Sequence, residues 1–190
     1  LIKRFLVIGH NAVTAGNFSL NDMPGGAGRM DILCSCINSC FFLSHSLRDD
    51  VECYLLLLGE PMPPKTILIK GDEVRYLNPD ERSTGSLLKK ALDLPCGEKF
   101  RESTKGIYVK RRGLKCLLKD YEFSVLDENG SDIRETENAP CSYILSDNHN
   151  FTGEEEDMLK DLPRVSAGPK VLHADHTITV ILNELDRRGL

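Results

Sequence analysis

The sequence predicts an α/β fold, a mainly parallel sheet flanked by helices. Apolar segments of strand length alternate with segments of helical periodicity along the whole chain. The run Val51–Leu58 (VECYLLLL) has the continuous apolar character of a central parallel strand. Three late strand ends run into small or polar loops, VLDENG, ILSDNHN and VSAGPKVL; in open α/β sheets, ligands bind beyond such carboxyl ends. With 190 residues, 41% of them hydrophobic, the chain suits a single domain over residues 1–190 with a full core. The disordered and collagen-like classes are excluded.

In chain order, Arg4–Gly9 (RFLVIG) is a buried strand, and residues 17–28 (NFSLNDMPGGAG) are a loop rich in chain breakers. A helix is expected over Arg29–Leu47, with Leu33, Ile37 and Phe41 on one stripe. After Val51–Leu58 and the Pro-rich GEPMPP, Thr66–Ile69 and Val74–Leu77 suggest a hairpin around KGDE. Ser83–Leu94 is a helix with Ser83 or Thr84 as N-cap, and residues 95–106 are an irregular polar link. Ile107–Val109 is a short strand and Gly113–Lys119 a short helix. Phe123–Leu126 is a strand ending in the turn DENG, and Tyr143–Leu145 another strand. The acidic start of a helix over Gly153–Leu162 suits the helix dipole. Val165 marks a minimal strand. The last helix follows AGPK and runs to about Arg188, with Ile178, Ile181, Leu182 and Leu185 on one face and basic residues before Gly189.

No apolar stretch approaches the roughly 18–20 residues of a membrane span. The N-terminal LIKRFLVIGHN lacks the apolar length and cleavage site of a signal peptide, so a cytoplasmic protein is expected. The seven cysteines are odd in number and form no CxxC pair, which favours reduced thiols, with Cys34, Cys36 and Cys40 as buried core groups in an apolar helical run. Cys34 and Cys36 point to nearly opposite sides of a helix and do not share a metal. Net charge is −5 but segregated: Lys99–Lys119 holds eight cations and one acid, whereas Asp127–Asp161 holds eleven acids and two cations.

Several motifs admit two readings on spacing alone. PGGAG (Pro24–Gly28) is a flexible loop or a phosphate seat before a helix. NPDERS (Asn78–Ser83) is a helix-entry turn or a charged group aimed at a substrate. KGIYVKRRGLK (Lys105–Lys115) is a solvated face or a patch for a phosphate backbone. His173 and His176 flank Asp175 without a third ligand at suitable spacing, so no metal is expected there.

The ordered motifs FSLNDMPGGAGRMDIL, SHSLRDDV, GEPMPPK, NPDER, KGIYVKRRG, VLDENG, LSDNHNFTGEEED and LHADHTITVILNELDRR resemble the TrmY family of SPOUT methyltransferases over essentially the whole chain. These enzymes transfer a methyl group from S-adenosylmethionine to N1 of pseudouridine in the T-arm of tRNA, at position 54 in archaea. The resemblance implies a SPOUT methyltransferase fold with a C-terminal deep trefoil knot, the knotted cofactor-binding part being about residues 121–190, and a homodimer. It implies S-adenosylmethionine held in a bent shape by the three late loops, at Leu126, Ser146, Ala167, Gly168, Pro169, Lys170, Val171, Leu172 and Thr177.

The N1 proton must leave; a carboxylate can accept it or orient the base, and a cation can steady the negative charge developing on the ring. Asp80 and Arg82 of PDER, with Arg29 and Asp31, are the candidates. The base must be flipped out of a folded RNA arm, with Lys105, Lys110, Arg111 and Arg112 on the phosphates. A partner copy is expected to cover Val171, Leu172, Ile178, Ile181, Leu182 and Leu185. Three positions depart from the family pattern: Ser146 stands where Gly is usual, Thr177 where Cys is usual, and Asn148 where His is usual. The Cβ of Ser146 narrows a place where backbone approaches adenosine. On Ser146 and Thr177 rests the alternative, a non-catalytic or retargeted SPOUT homologue that binds RNA or cofactor.

Overall fold

The computed structural model describes residues 1–190. Its strands are β1 (Lys3–Gly9), β2 (Val51–Leu57), β3 (Lys65–Lys70), β4 (Arg101–Glu102), β5 (Ile107–Lys110), β6 (Ser124–Asp132), β7 (Ser142–Ser146) and β8 (Arg164–Ser166). They form one sheet in the order β4-β5-β3-β2-β1-β7-β6-β8. The five strands from β2 to β8 run parallel, and β3, β5 and β4 extend that sheet antiparallel. The helices are α1 (Met23–Gly26), α2 (Met30–Phe41), α3 (Glu81–Asp93), α4 (Leu114–Leu117), α5 (Gly153–Leu159) and α6 (Ala174–Arg187). The expected α/β class and mainly parallel sheet are therefore observed. No helix is long and apolar enough to cross a membrane.

Both faces of the sheet are covered, which explains the unbroken apolar strands. On β1, Phe5 and Val7 join a core of 36 residues with α2, α3 and α6, whereas Leu6 and Ile8 enter a core of 11 residues with α4 and α5. α2 is wedged between the sheet and the other helices of the larger core. Cys34, Cys36 and Cys40 are consequently all buried and free. Burial pushes the Cys34 thiol up to about 12 and holds Cys36 and Cys40 well above the ordinary value, so these are packing groups, not nucleophiles. Ile178, Ile181, Leu182 and Leu185 of α6 are at most 1% exposed. They fill the chain's own core, correcting the expectation that a partner covers them; Val171 and Leu172 stay exposed.

Several elements differ from expectation. The breaker-rich loop holds the one-turn helix α1, capped by Asp22, and the polar link holds β4, paired antiparallel with β5. α2 ends at Phe41 because Phe42 is extended and pairs with Leu47 across Ser-His-Ser, residues whose side chains compete poorly for a helix. Val74–Leu77 forms no strand: β5 already occupies the outer edge of β3, and Val74 instead closes a turn by donating its N–H to the Lys70 carbonyl. The N-cap of α3 is Asp80, not Ser83 or Thr84. DENG does not end its strand. β6 pairs with β8 on both sides of an irregularity between Leu126 and Ser131, so Asp127–Gly130 bulges out of the ladder.

Candidate active site

Because β1, β7, β6 and β8 are parallel, their carboxyl ends open on one edge. There the β6 bulge, the loop after β7 and the loop after β8 enclose a cleft of about 870 Å³, within the size range of small-molecule sites. Leu126, Ser146, Ala167, Gly168, Lys170, Val171, Leu172 and Thr177 line it; of the expected cofactor positions, only Pro169 is not on the wall. The two unusual hydroxyls are engaged locally. Ser146 donates to the carbonyl of His149, and Thr177 to that of His173 at 3.0 Å. Leu145 and Phe151 add apolar wall, beside the carboxylates of Glu128 and Asp175.

The entry of α2 supplies another wall. Gly28 and Arg29 both have positive φ, 64° and 65°. This left-handed pair turns the chain into α2 and sets the Arg29 guanidinium as a fork on Asp31, with both bonds 3.1 Å. Opposite, Arg164 joins Asp127 at 2.6 Å and Glu156 at 2.5 Å, tying the bulge to α5 across β8.

Beneath the loop after β7 lies a cluster that sequence reasoning missed. His10, at the end of β1, reaches Asp147 with Nδ1 at 2.9 Å and Glu155 with Nε2 at 2.7 Å. Asp147 also accepts the backbone N–H groups of His10 and His149 at 3.0 and 3.1 Å. Glu155 closes a capping box with Thr152 at the start of α5. The Asp147 hydrogen bond is the main influence raising the His10 imidazole above its ordinary value, against partial desolvation. Burial opposes charge on Asp147, yet the bonds from His10 and the two amides outweigh it and hold this carboxyl below the usual range. The available signal was a polar pair, His10-Asn11, at the carboxyl end of the first strand.

The other expected residues lie elsewhere. Asp80 caps α3 by accepting the Ser83 N–H at 2.7 Å, a bond that holds its carboxyl below the ordinary value. Arg82 bonds Asn21 across the breaker-rich loop. Neither lines the cleft of its own chain, whereas Arg29 and Asp31 do. In PGGAG, Gly25 donates its N–H to Asp22 rather than presenting it to a ligand. The basic segment spans β5 and the turn after it, near the sheet edge opposite the cleft. Lys105 and Arg111 are exposed there, and Arg112 is half-buried and paired with Glu98 at 2.6 Å. Lys110, expected as a phosphate contact, is only 7% exposed; its amine lies 4.2 Å from the Phe100 ring centre and 3.9 Å from Asp120.

A family model described as "Putative SAM-dependent RNA methyltransferase" matches residues 2–190. The tRNA (pseudouridine(54)-N(1))-methyltransferase of Methanocorpusculum labreanum is 56% identical over 190 residues, covering 98% of this chain and 97% of that one. The protein of the same name from Methanococcoides burtonii is 51% identical over 197 residues, covering 98% and 96%. Among solved structures, Archaeoglobus fulgidus Nep1 bound to S-adenosylhomocysteine superposes with a TM-score of 0.72 over the full length of both chains, at 15% identity, a likeness of fold. The chain thus belongs to the family of S-adenosylmethionine-dependent tRNA (pseudouridine(54)-N(1))-methyltransferases.

Proposed function

We propose that the cleft at the carboxyl ends of β6, β7 and β8 is where this methyltransferase binds S-adenosylmethionine and methylates N1 of a tRNA pseudouridine. The observation that carries the placement is the convergence of the three late loops on one cleft, with all but one of the expected cofactor positions on its wall. The donor set suits the group: apolar side chains from Leu126, Leu145 and Leu172 for an adenine, backbone around Ala167–Leu172 for polar edges, and carboxylates at Glu128 and Asp175 for cationic centres. The Ser146 and Thr177 hydroxyls are spent on neighbouring carbonyls, which counts against a lapsed pocket. S-adenosylmethionine, when bound, supplies an activated methyl group on a sulfonium. The residues then have to hold the acceptor nitrogen about 3 Å from that methyl and in line with it.

Arg29 and Asp31 stand on the wall to orient the base and its proton. Asp80 and Arg82 reach a cleft only as parts of a second copy, so the reading includes a homodimer in which one protomer's α3 entry faces the other's cleft. Exposed Val171 and Leu172 belong to that contact. The reading also takes residues 121–190, about the knotted part, as threaded into the deep trefoil of the SPOUT fold. Lys105, Arg111 and Arg112 meet tRNA phosphates, and a tRNA substrate supports the reading of a cytoplasmic enzyme. The test is incubation with methyl-labelled S-adenosylmethionine and unmethylated tRNA, followed by nucleoside mass spectrometry. N1-methylpseudouridine is expected. Label on another nucleoside, or no label from folded protein, refutes the reading.

A further inference from the structure

His10 carries no role in methyl transfer as described, yet beneath the cleft its ring bridges two carboxylates. A neutral imidazole has one N–H and one acceptor nitrogen; only the imidazolium donates from both. His10 faces a carboxylate oxygen from each ring nitrogen, Asp147 at 2.9 Å and Glu155 at 2.7 Å. The Asp147 side chain is 1% exposed and that of Glu155 7%, so water does not replace a lost donor.

The consequences of losing that proton are unequal. Glu155 keeps the Thr152 N–H at 3.0 Å and does not line the cleft. Asp147 is on the cleft wall, and its remaining bonds go to the backbone at His10 and His149, which close the turn Ser146–His149. The other groups around the pair are the His149 ring, edge-on at 6.1 Å between centres, and the Ser146 hydroxyl at 3.4 Å. Arg29, across the cleft, also feels the Asp147 charge.

We propose that His10 is a positioning residue for methyl transfer: its imidazolium, clamped between Asp147 and Glu155, fixes the Ser146–His149 turn as a wall of the cofactor cleft and thereby couples cofactor affinity to its own charge. This rests on the cleft being the cofactor site. The clamp holds the imidazole's proton above the ordinary value of 6.5. The clamp is therefore complete below that value and is lost as pH rises through the raised one, so affinity weakens on the alkaline side.

The test is calorimetric titration with S-adenosylhomocysteine from about pH 6 to pH 9, with the histidine ring signals followed by NMR. Glu155→Gln retains an oxygen for the Thr152 N–H and removes one of the two charges on His10. The alkaline loss of affinity should then move to lower pH by about one unit or more, together with the His10 signal, while affinity at pH 6 changes little. A histidine that only packs the fold lowers thermal stability and leaves that midpoint unmoved. If Glu155→Gln fails to fold, His10→Gln serves instead: weaker binding at pH 6 with no alkaline step is expected, and a retained step overturns the proposal. An equal midpoint in wild type and Glu155→Gln, or flat wild-type affinity while His10 titrates, also overturns it. No binding by folded wild type at any pH overturns the cofactor reading itself, which separates the two failures.

Discussion

Gly28→Ala probes how the first turn and the α2 entry fit together. The Asn11 carbonyl is wedged between two glycines: a Cβ on Gly28 would stand 1.7 Å from its oxygen, and one on Gly59 2.4 Å from it. The left-handed backbone of Gly28 costs an L residue about 1–2 kcal/mol. To admit the methyl, the Asn11 turn must retreat by more than about 1 Å, and overpacking of this kind costs about 1–3 kcal/mol more. The expected loss is about 2–5 kcal/mol, and at roughly 2–4 °C per kcal/mol for a chain of this size the melting temperature falls by about 4–20 °C. The same retreat enters the site, because Asn11 bonds His149, His10 bonds Asp147, and Arg29 follows Gly28. Methyl incorporation by the folded variant should fall by about 100-fold, the typical cost of a 1 Å misplacement. Gly153→Ala is the matched control, since nothing lies within 4 Å of its added Cβ at the start of α5; it should be neutral or stabilise by up to about 1 kcal/mol. Thermal melts and methyl incorporation at a temperature where both variants are folded decide the matter. A Gly28→Ala melt within about 2 °C of wild type refutes the reasoning.

Asp80→Asn keeps a side-chain oxygen for the Ser83 N–H, so melting and S-adenosylhomocysteine binding should hold while turnover falls by roughly 100-fold; near-normal turnover removes Asp80 from the reaction. Arg111→Ala should weaken tRNA binding and lower its salt-dependence slope by about one, whereas Lys110→Ala should mainly lower the melting temperature, because that amine packs over Phe100; the reverse pattern in filter binding and melts defeats the distinction. Because the Asp147 carboxyl is held below its ordinary value of 3.8, its stabilising effect is present above that value and lost as pH falls through the lower one. Urea denaturation of Asp147→Asn should therefore show a flatter acid limb below about pH 4, and an unchanged limb contradicts the assigned cause.

Much of the site was legible because chemistry and chain order coincide there. Each late loop directly follows its strand, so VLDENG, ILSDNHN and VSAGPKVL could be placed at carboxyl ends without knowing the sheet order. The His10 clamp was not legible, because its partners lie 137 and 145 residues away along the chain. Lys110 looked like its basic neighbours, and only the position of Phe100 takes it out of solvent. PDER kept two readings because a helix cap and an acid aimed at a base require the same carboxylate.

By itself the sequence determined the class of fold, the helix stripes, the buried cysteines and the family, since these depend on periodicity and on motifs read within short windows. Tertiary structure decided what depends on which strand lies beside which. It set β7 and β6 between β1 and β8, extruded Asp127–Asn129 into the cleft, turned the apolar stripe of α6 inward, and brought Arg29 and Asp147, with His10 behind it, together at one edge. The physical reason is that local pattern fixes which face of an element is apolar, while the neighbour that covers that face, and the charges it carries, are selected by packing over the whole chain.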